Sequence, residues 1–184
     1  QNDYIIYSDT DLKEQDHFEC KAAQTKASTS TPQANPESIL SDRCVTMYFE
    51  LDYNLYQQNS SNVNTTTNWM ASVFNNVQTI YSNEGITIAL KSVFIWTTPD
   101  PYNGIGTDAT DYLDAFEALR PVYDGDVGQL LGIDPGSLGG VAMFVGGLCN
   151  VYGYSYADIN LSFSTVPTYS WTVKVICHEF GHTL

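Results

Sequence analysis

Positive charge is scarce in this chain: seven lysines and arginines stand against 21 acidic residues, for a formal net charge of −14. Nucleic-acid backbones are gripped by clustered Lys and Arg, so this balance argues against a nucleic-acid partner. An anionic membrane face is disfavoured for the same reason. Long apolar runs are also missing. None approaches the roughly 20 residues that cross a bilayer, so no membrane span is expected. The opening Gln1-Asn2-Asp3-Tyr4 has neither a basic nor an apolar leader region, so any signal peptide has been removed or lies outside this sequence. Cysteine is limited to Cys20, Cys44, Cys149 and Cys177, none in the Cys-x-x-Cys spacing of a structural zinc site or a dithiol redox pair.

What is present belongs to a folded domain. Apolar residues make up 43% and aromatics 13% of 184 residues, enough for one core that buries roughly 70% of the unfolded surface. Charged residues are only 15%, while Ser, Thr, Asn and Tyr abound, a texture that fits a secreted or extracellular protein. Glycosylation-type triplets start at Asn59, Asn64 and Asn160, but an Asn- and Ser-rich chain produces them often by chance.

Along the chain, Tyr4–Tyr7 is strand-like, and residues 26–42, with Pro32 and Pro36, have the composition of a linker. The compact domain is expected from about Arg43. Val45–Asp52 reads as a strand. A polar loop then leads to a helix capped by Thr66 or Thr67, with Trp69, Val73, Phe74, Val77, Ile80 and Tyr81 as its apolar stripe and Gly85 as its stop. Ile86–Trp96 reads as a strand interrupted by a bulge or turn, and Asp108–Arg120 as a second helix ended by Pro121. Residues 122–139 read as loop, with 126–131 a short helical turn at best. Gly140–Gly146 and Ile159–Phe163 read as short strands. A last helix starts at Thr168 or Ser170 and carries Val173, Ile176, Cys177 and Phe180 on its apolar side. Strands alternating with helices predict an α/β (α+β) fold, a sheet packed on helices.

That last helix holds His178-Glu179-Phe180-Gly181-His182. Residues four apart share a helix face, so both imidazoles can ligate one tetrahedral metal ion. Glu179 stands about 100° round the helix from His178. From there it can act as general base on a metal-activated water. The competing reading is two histidines that coincide on a surface helix. With three histidines in the whole chain, chance places a pair like this around a glutamate on the order of once in several hundred such chains. The third, His17, lies in a polar stretch and reads as a solvated side chain.

The motif resembles the first half of the metzincin signature His-Glu-x-x-His-x-x-Gly-x-x-His. Upstream, Cys44–Asp52, Asn68–Trp96, Asp126-Val127-Gly128-Gln129-Leu130-Leu131 and the Gly146-Gly147-Leu148-Cys149-Asn150 turn are similar, in order, to segments of the reprolysin (adamalysin-like) family of metzincins. The resemblance implies a metzincin-type twisted mixed sheet, with residues 43–184 forming the upper subdomain of a catalytic domain and residues 1–42 a propeptide tail and linker. It implies zinc held by His178 and His182, Glu179 as catalytic base, and an extended protein or peptide substrate. That substrate would lie antiparallel along the strand Gly140, Val141, Ala142, Met143, Phe144 and Val145. An ordinary edge strand is the plainer reading of that segment.

The sequence ends at Leu184, and the family's third histidine would fall beyond it. With two ligands, the 184-residue chain is expected to bind zinc weakly and not to hydrolyse peptides. Thr46 occupies an early acidic position of the family, which puts a calcium site at Asp126 in doubt. Cys20 is either a latency thiolate for zinc or a disulfide partner of Cys44, or free; the resemblance pairs Cys149 with a cysteine beyond the sequence. Cys177 reads as buried and free. Two other functions compete: a zincin of another family with a distant Glu or Asp as third ligand, and a non-catalytic peptide-binding module on a peptidase fold.

Overall fold

The computed structural model describes residues 44–133, 138–148 and 153–184. The expectations at Tyr4–Tyr7, the linker, Cys20 and Cys149 lie outside them.

Strand β1 (Val45–Leu51) is followed by helices α1 (Tyr53–Gln58) and α2 (Val63–Asn83), then β2 (Ile88–Ile95) and α3 (Ala109–Leu119). Strands β3 (Val127–Gly132), β4 (Gly140–Ala142) and β5 (Tyr154–Asp158) precede the last helix, α4 (Trp171–Thr183). The strands form one twisted sheet in the order β2-β1-β3-β5-β4. All neighbours run parallel except β4, which pairs antiparallel with β5 at the edge. This is the mixed α/β fold that the alternation of elements predicts.

Alternation along β1 sorts its side chains between two cores. Met47, Phe49 and Leu51 face α2 and α4, where they meet Val73, Val77, Ile176 and Phe180. Tyr48 faces α3 and packs with Tyr112, Phe116, Tyr154 and Tyr156. Glu50, fully buried on that second face, is a charge in a core. It accepts hydrogen bonds from Arg120 Nε (2.7 Å) and Nη2 (3.1 Å), the Tyr48 hydroxyl (2.7 Å), Trp96 Nε1 (2.7 Å) and the Tyr102 hydroxyl (2.8 Å). Burial alone would raise its pKa, but these donors outweigh it and hold the carboxyl below its ordinary value.

Several boundaries differ from the sequence reading, each for a physical reason. Helix α1 fills part of the expected polar loop, capped by Asp52, whose carboxylate accepts from Leu55 N–H. Helix α2 starts at Val63, with Asn62 as cap, because Asn62 Oδ1 accepts from Thr65 N–H while Thr66 turns its hydroxyl back onto Asn62 O. The segment read as a helical turn is β3, the central strand. Every one of its residues is buried between β1 and β5, and a strand covered on both faces lacks the period-two alternation that would mark it. The strand expected at Ile159–Phe163 is displaced to β5. Ile159 makes a sheet-end hydrogen bond to Gly132 O, and the chain then leaves the sheet so that Leu161 and Phe163 pack on the first core. The irregularity expected within β2 is present: Leu90 pairs with Met47 and Ser92 with Tyr48, so Lys91 is the extra residue.

Candidate metal centre and active site

Helix α4 is pinned on several sides before its ends diverge into function. Trp171 Nε1 donates to Asp158 O (3.0 Å) and the Thr172 hydroxyl to Asn160 O (2.7 Å) at its start. Midway, the Tyr81 hydroxyl donates to Cys177 O (2.6 Å), and the Tyr81 ring meets Phe180 edge-on at 4.9 Å. A Cβ at position 181 would come within 3.1 Å of that hydroxyl, so Gly181, the small residue inside the motif, leaves room for the strut from α2.

On the helix so fixed, His178 and His182 turn their Nε2 atoms to within 3.0 Å of each other, with ring planes at 84°. Two imidazole nitrogens on one tetrahedral zinc, each bonded at about 2.0–2.1 Å, would stand about 3.3–3.4 Å apart. The observed pair is within a few tenths of an ångström of sharing such a vertex. Burial lowers the pKa of both rings, and His182 and Lys174 push His178 down further. Both are thereby favoured in the neutral form that ligates metals.

Glu179, between them in sequence, is turned into the protein. It is fully buried, and neither carboxyl oxygen has a hydrogen-bond partner among the described residues. Desolvation pushes its pKa up to about 8. The two converging imidazoles supply two donors of the kind a divalent cation takes, with the orphaned carboxyl at the neighbouring helix position. The fit is partial in number: among the described residues no group of three or more His, Cys, Asp or Glu could hold a metal ion.

The expected substrate strand lies against this site but is shorter than the sequence reading. Gly140, Val141 and Ala142 pair with Ala157, Tyr156 and Ser155 as β4, at the sheet edge. Met143 keeps one backbone bond to Tyr154 O, and the chain then leaves the ladder through Phe144 and Val145. Gly146, at φ +77°, redirects it across the end of α4: Gly146 N–H donates to His182 O and Leu148 N–H to Thr183 O, both at 2.7 Å. Open carbonyls at a helix C-terminus are thus satisfied by the segment that follows the edge strand. Nothing in the local sequence signals this clamp, which joins two segments far apart in the chain.

Elsewhere, Asp126 Oδ2 accepts from both the N–H and the hydroxyl of Thr46 at 2.7 Å, which holds its pKa down. One of its carboxylate oxygens is thus engaged by a neutral neighbour. Cys177 is half-buried and in no disulfide, with its thiol pushed up to about 12 by burial, while Cys44 is exposed at the start of β1. No helix among the described residues is long and apolar enough to cross a membrane.

The sheet, the helix that offers His-Glu-x-Gly-His and the edge strand beside it belong to a chain of a metallopeptidase family, as a family model shows. The family model described as metallo-peptidase family M12 (Reprolysin_5) matches residues 41–184, and the chain belongs to that family. Among solved structures it is similar to a chain in "Structure of a chaperone-substrate complex", at 12% identity and a TM-score of 0.52, over 76% of this chain and 23% of that one. At that identity the likeness concerns the fold alone, and this chain spans under a quarter of the other's length.

Proposed function

We propose that this chain is the zinc-binding part of a secreted endopeptidase of the reprolysin type, with His178 and His182 as metal ligands and Glu179 as general base. Family membership and the 3.0 Å approach of the two Nε2 atoms support the reading. The observation that carries it is Glu179, whose two buried oxygens lack any donor among the described residues. A buried, unpartnered carboxyl costs stability, and nothing structural in the described residues offsets it.

When bound, zinc would polarise the scissile carbonyl and lower the pKa of water towards 7. The chain's own residues do the rest. Glu179 takes the proton of the attacking water onto a carboxyl oxygen and delivers it to the departing amine nitrogen. Its buried position excludes competing solvent from the carboxyl. The outer edge of β4 and the segment through Val145 hold an extended protein or peptide substrate by strand addition. A third metal donor comes from outside the described residues, and residues 1–42 serve as propeptide tail and linker.

The test is Glu179→Gln in the active parent protein. Turnover should fall by at least about 100-fold while bound zinc stays unchanged. Full turnover by that variant would remove Glu179 from the mechanism.

A further inference from the structure

Position 140 is glycine for a reason that its own backbone does not supply. Its φ lies outside the left-handed region, unlike Gly139 (φ +77°) next to it. A non-glycine residue there would keep an ordinary strand conformation, and alanine would even be favoured through the entropy of the unfolded chain. What forbids a side chain is Glu179. A Cβ built on Gly140 meets Glu179 Cγ at 2.5 Å, Oε1 at 2.6 Å and Cδ at 2.8 Å. Real Cβ atoms do not approach so closely, and the glutamate cannot yield easily, because it is fully buried. The direction is the one strand geometry dictates. Val141 packs towards α3, so Gly140 faces the opposite side, where α4 lies.

We infer that Gly140 is a positioning residue for Glu179: the absent side chain is the space that the carboxyl occupies, and this contact sets where the carboxyl sits relative to His178 and His182. The contact itself stands on the geometry alone; its importance for turnover rests on the function proposed above. It gives the first residue of the edge strand a task distinct from holding substrate by its backbone. The strand and the segment after it are then joined to helix α4 in turn, by Gly140 against Glu179 and by Gly146 and Leu148 on the helix end.

A double-mutant cycle on the 184-residue chain tests the contact by thermal unfolding. Gly140→Ala alone should lower Tm by at least about 3 °C, the consequence of overpacking in a domain this size. In a Glu179→Ala background, which deletes all three clashing atoms, the same Gly140→Ala change should leave Tm unchanged or raise it. If Gly140→Ala alone does not fold while the double variant does, the inference holds. A neutral or stabilising Gly140→Ala in the parent background overturns it. So does an equal loss in both backgrounds, or failure of both variants to fold. In the active parent protein Gly140→Ala should lower kcat more than it raises KM, with zinc content unchanged, whereas a loss confined to KM would return Gly140 to substrate binding only. Coupling in the cycle without peptidase activity in the parent protein would leave the contact standing and defeat the proposed function instead.

Discussion

The guanidinium of Arg120 closes on Glu50 with two hydrogen bonds, 2.7 Å from Nε and 3.1 Å from Nη2, while its central carbon lies over the Phe94 ring, 4.5 Å from the ring centre. Three further donors converge on the same carboxylate. Glu50→Ala leaves all of them without an acceptor, and the guanidinium without its counter-charge. Removal of one partner from such a buried pair costs about 3–5 kcal/mol. Urea unfolding of Glu50→Ala should show a loss of that order with an unchanged m-value, if the variant folds at all. A loss under 1 kcal/mol would mean that the network is not formed.

Two buried acids act on stability in the opposite direction. Asp52 is pushed up to about 7 and Glu179 to about 8, in each case chiefly by desolvation. An acid whose folded pKa is raised binds more protons when folded than when unfolded. Its contribution is therefore most favourable at low pH and is lost as pH rises from the unfolded value, about 4, through the folded one. The metal-free chain should lose stability between about pH 4 and 8. Glu179→Gln should remove the Glu179 share of that decline, which runs from about pH 4 to 8, and be the more stable protein at pH 8. Tm measured across this range checks it; parallel profiles for the two proteins would contradict the burial argument.

Zinc affinity should reflect two protein donors. Structural zinc sites with full ligand sets yield about 10–16 kcal/mol, so half a set gives about 5–8 kcal/mol, or a Kd from about 1 μM to 0.2 mM. Calorimetric titration of the 184-residue chain should fall in that range, and the same chain should not cleave peptides. Nanomolar binding, or chelator-sensitive proteolysis, would show that the described residues understate the donor set.

Legibility of the molecule from its sequence varied with the kind of signal. His178 and His182 were legible because one helical turn is a fixed geometric unit, and the apolar stripe of α2 because one face of that helix is buried. Strand β3 was not. Gln129, Leu130 and Leu131 favour helix intrinsically, and burial on both faces erased the alternation that would have corrected this. The cap of α2 was misplaced because Asn62, Thr66 and Thr67 are all capable caps, and only the fold selects among them. The seat of Glu179 on Gly140 was invisible for a different reason. It exists only once β4 has crossed to the sheet edge beside α4, and no local pattern encodes that approach.

The central claim is that His178 and His182 grip one metal ion through Nε2. Long-range proton–nitrogen NMR spectra of the uniformly labelled chain, recorded during zinc titration, address it directly, since weak binding is enough to move ring nitrogens. The account predicts that the Nε2 resonances of His178 and His182 shift together, that both rings end as the tautomer protonated at Nδ1, and that His17 is unaffected. Rings that end protonated at Nε2 with the metal on Nδ1, a change at one ring only, or no change at either would contradict it.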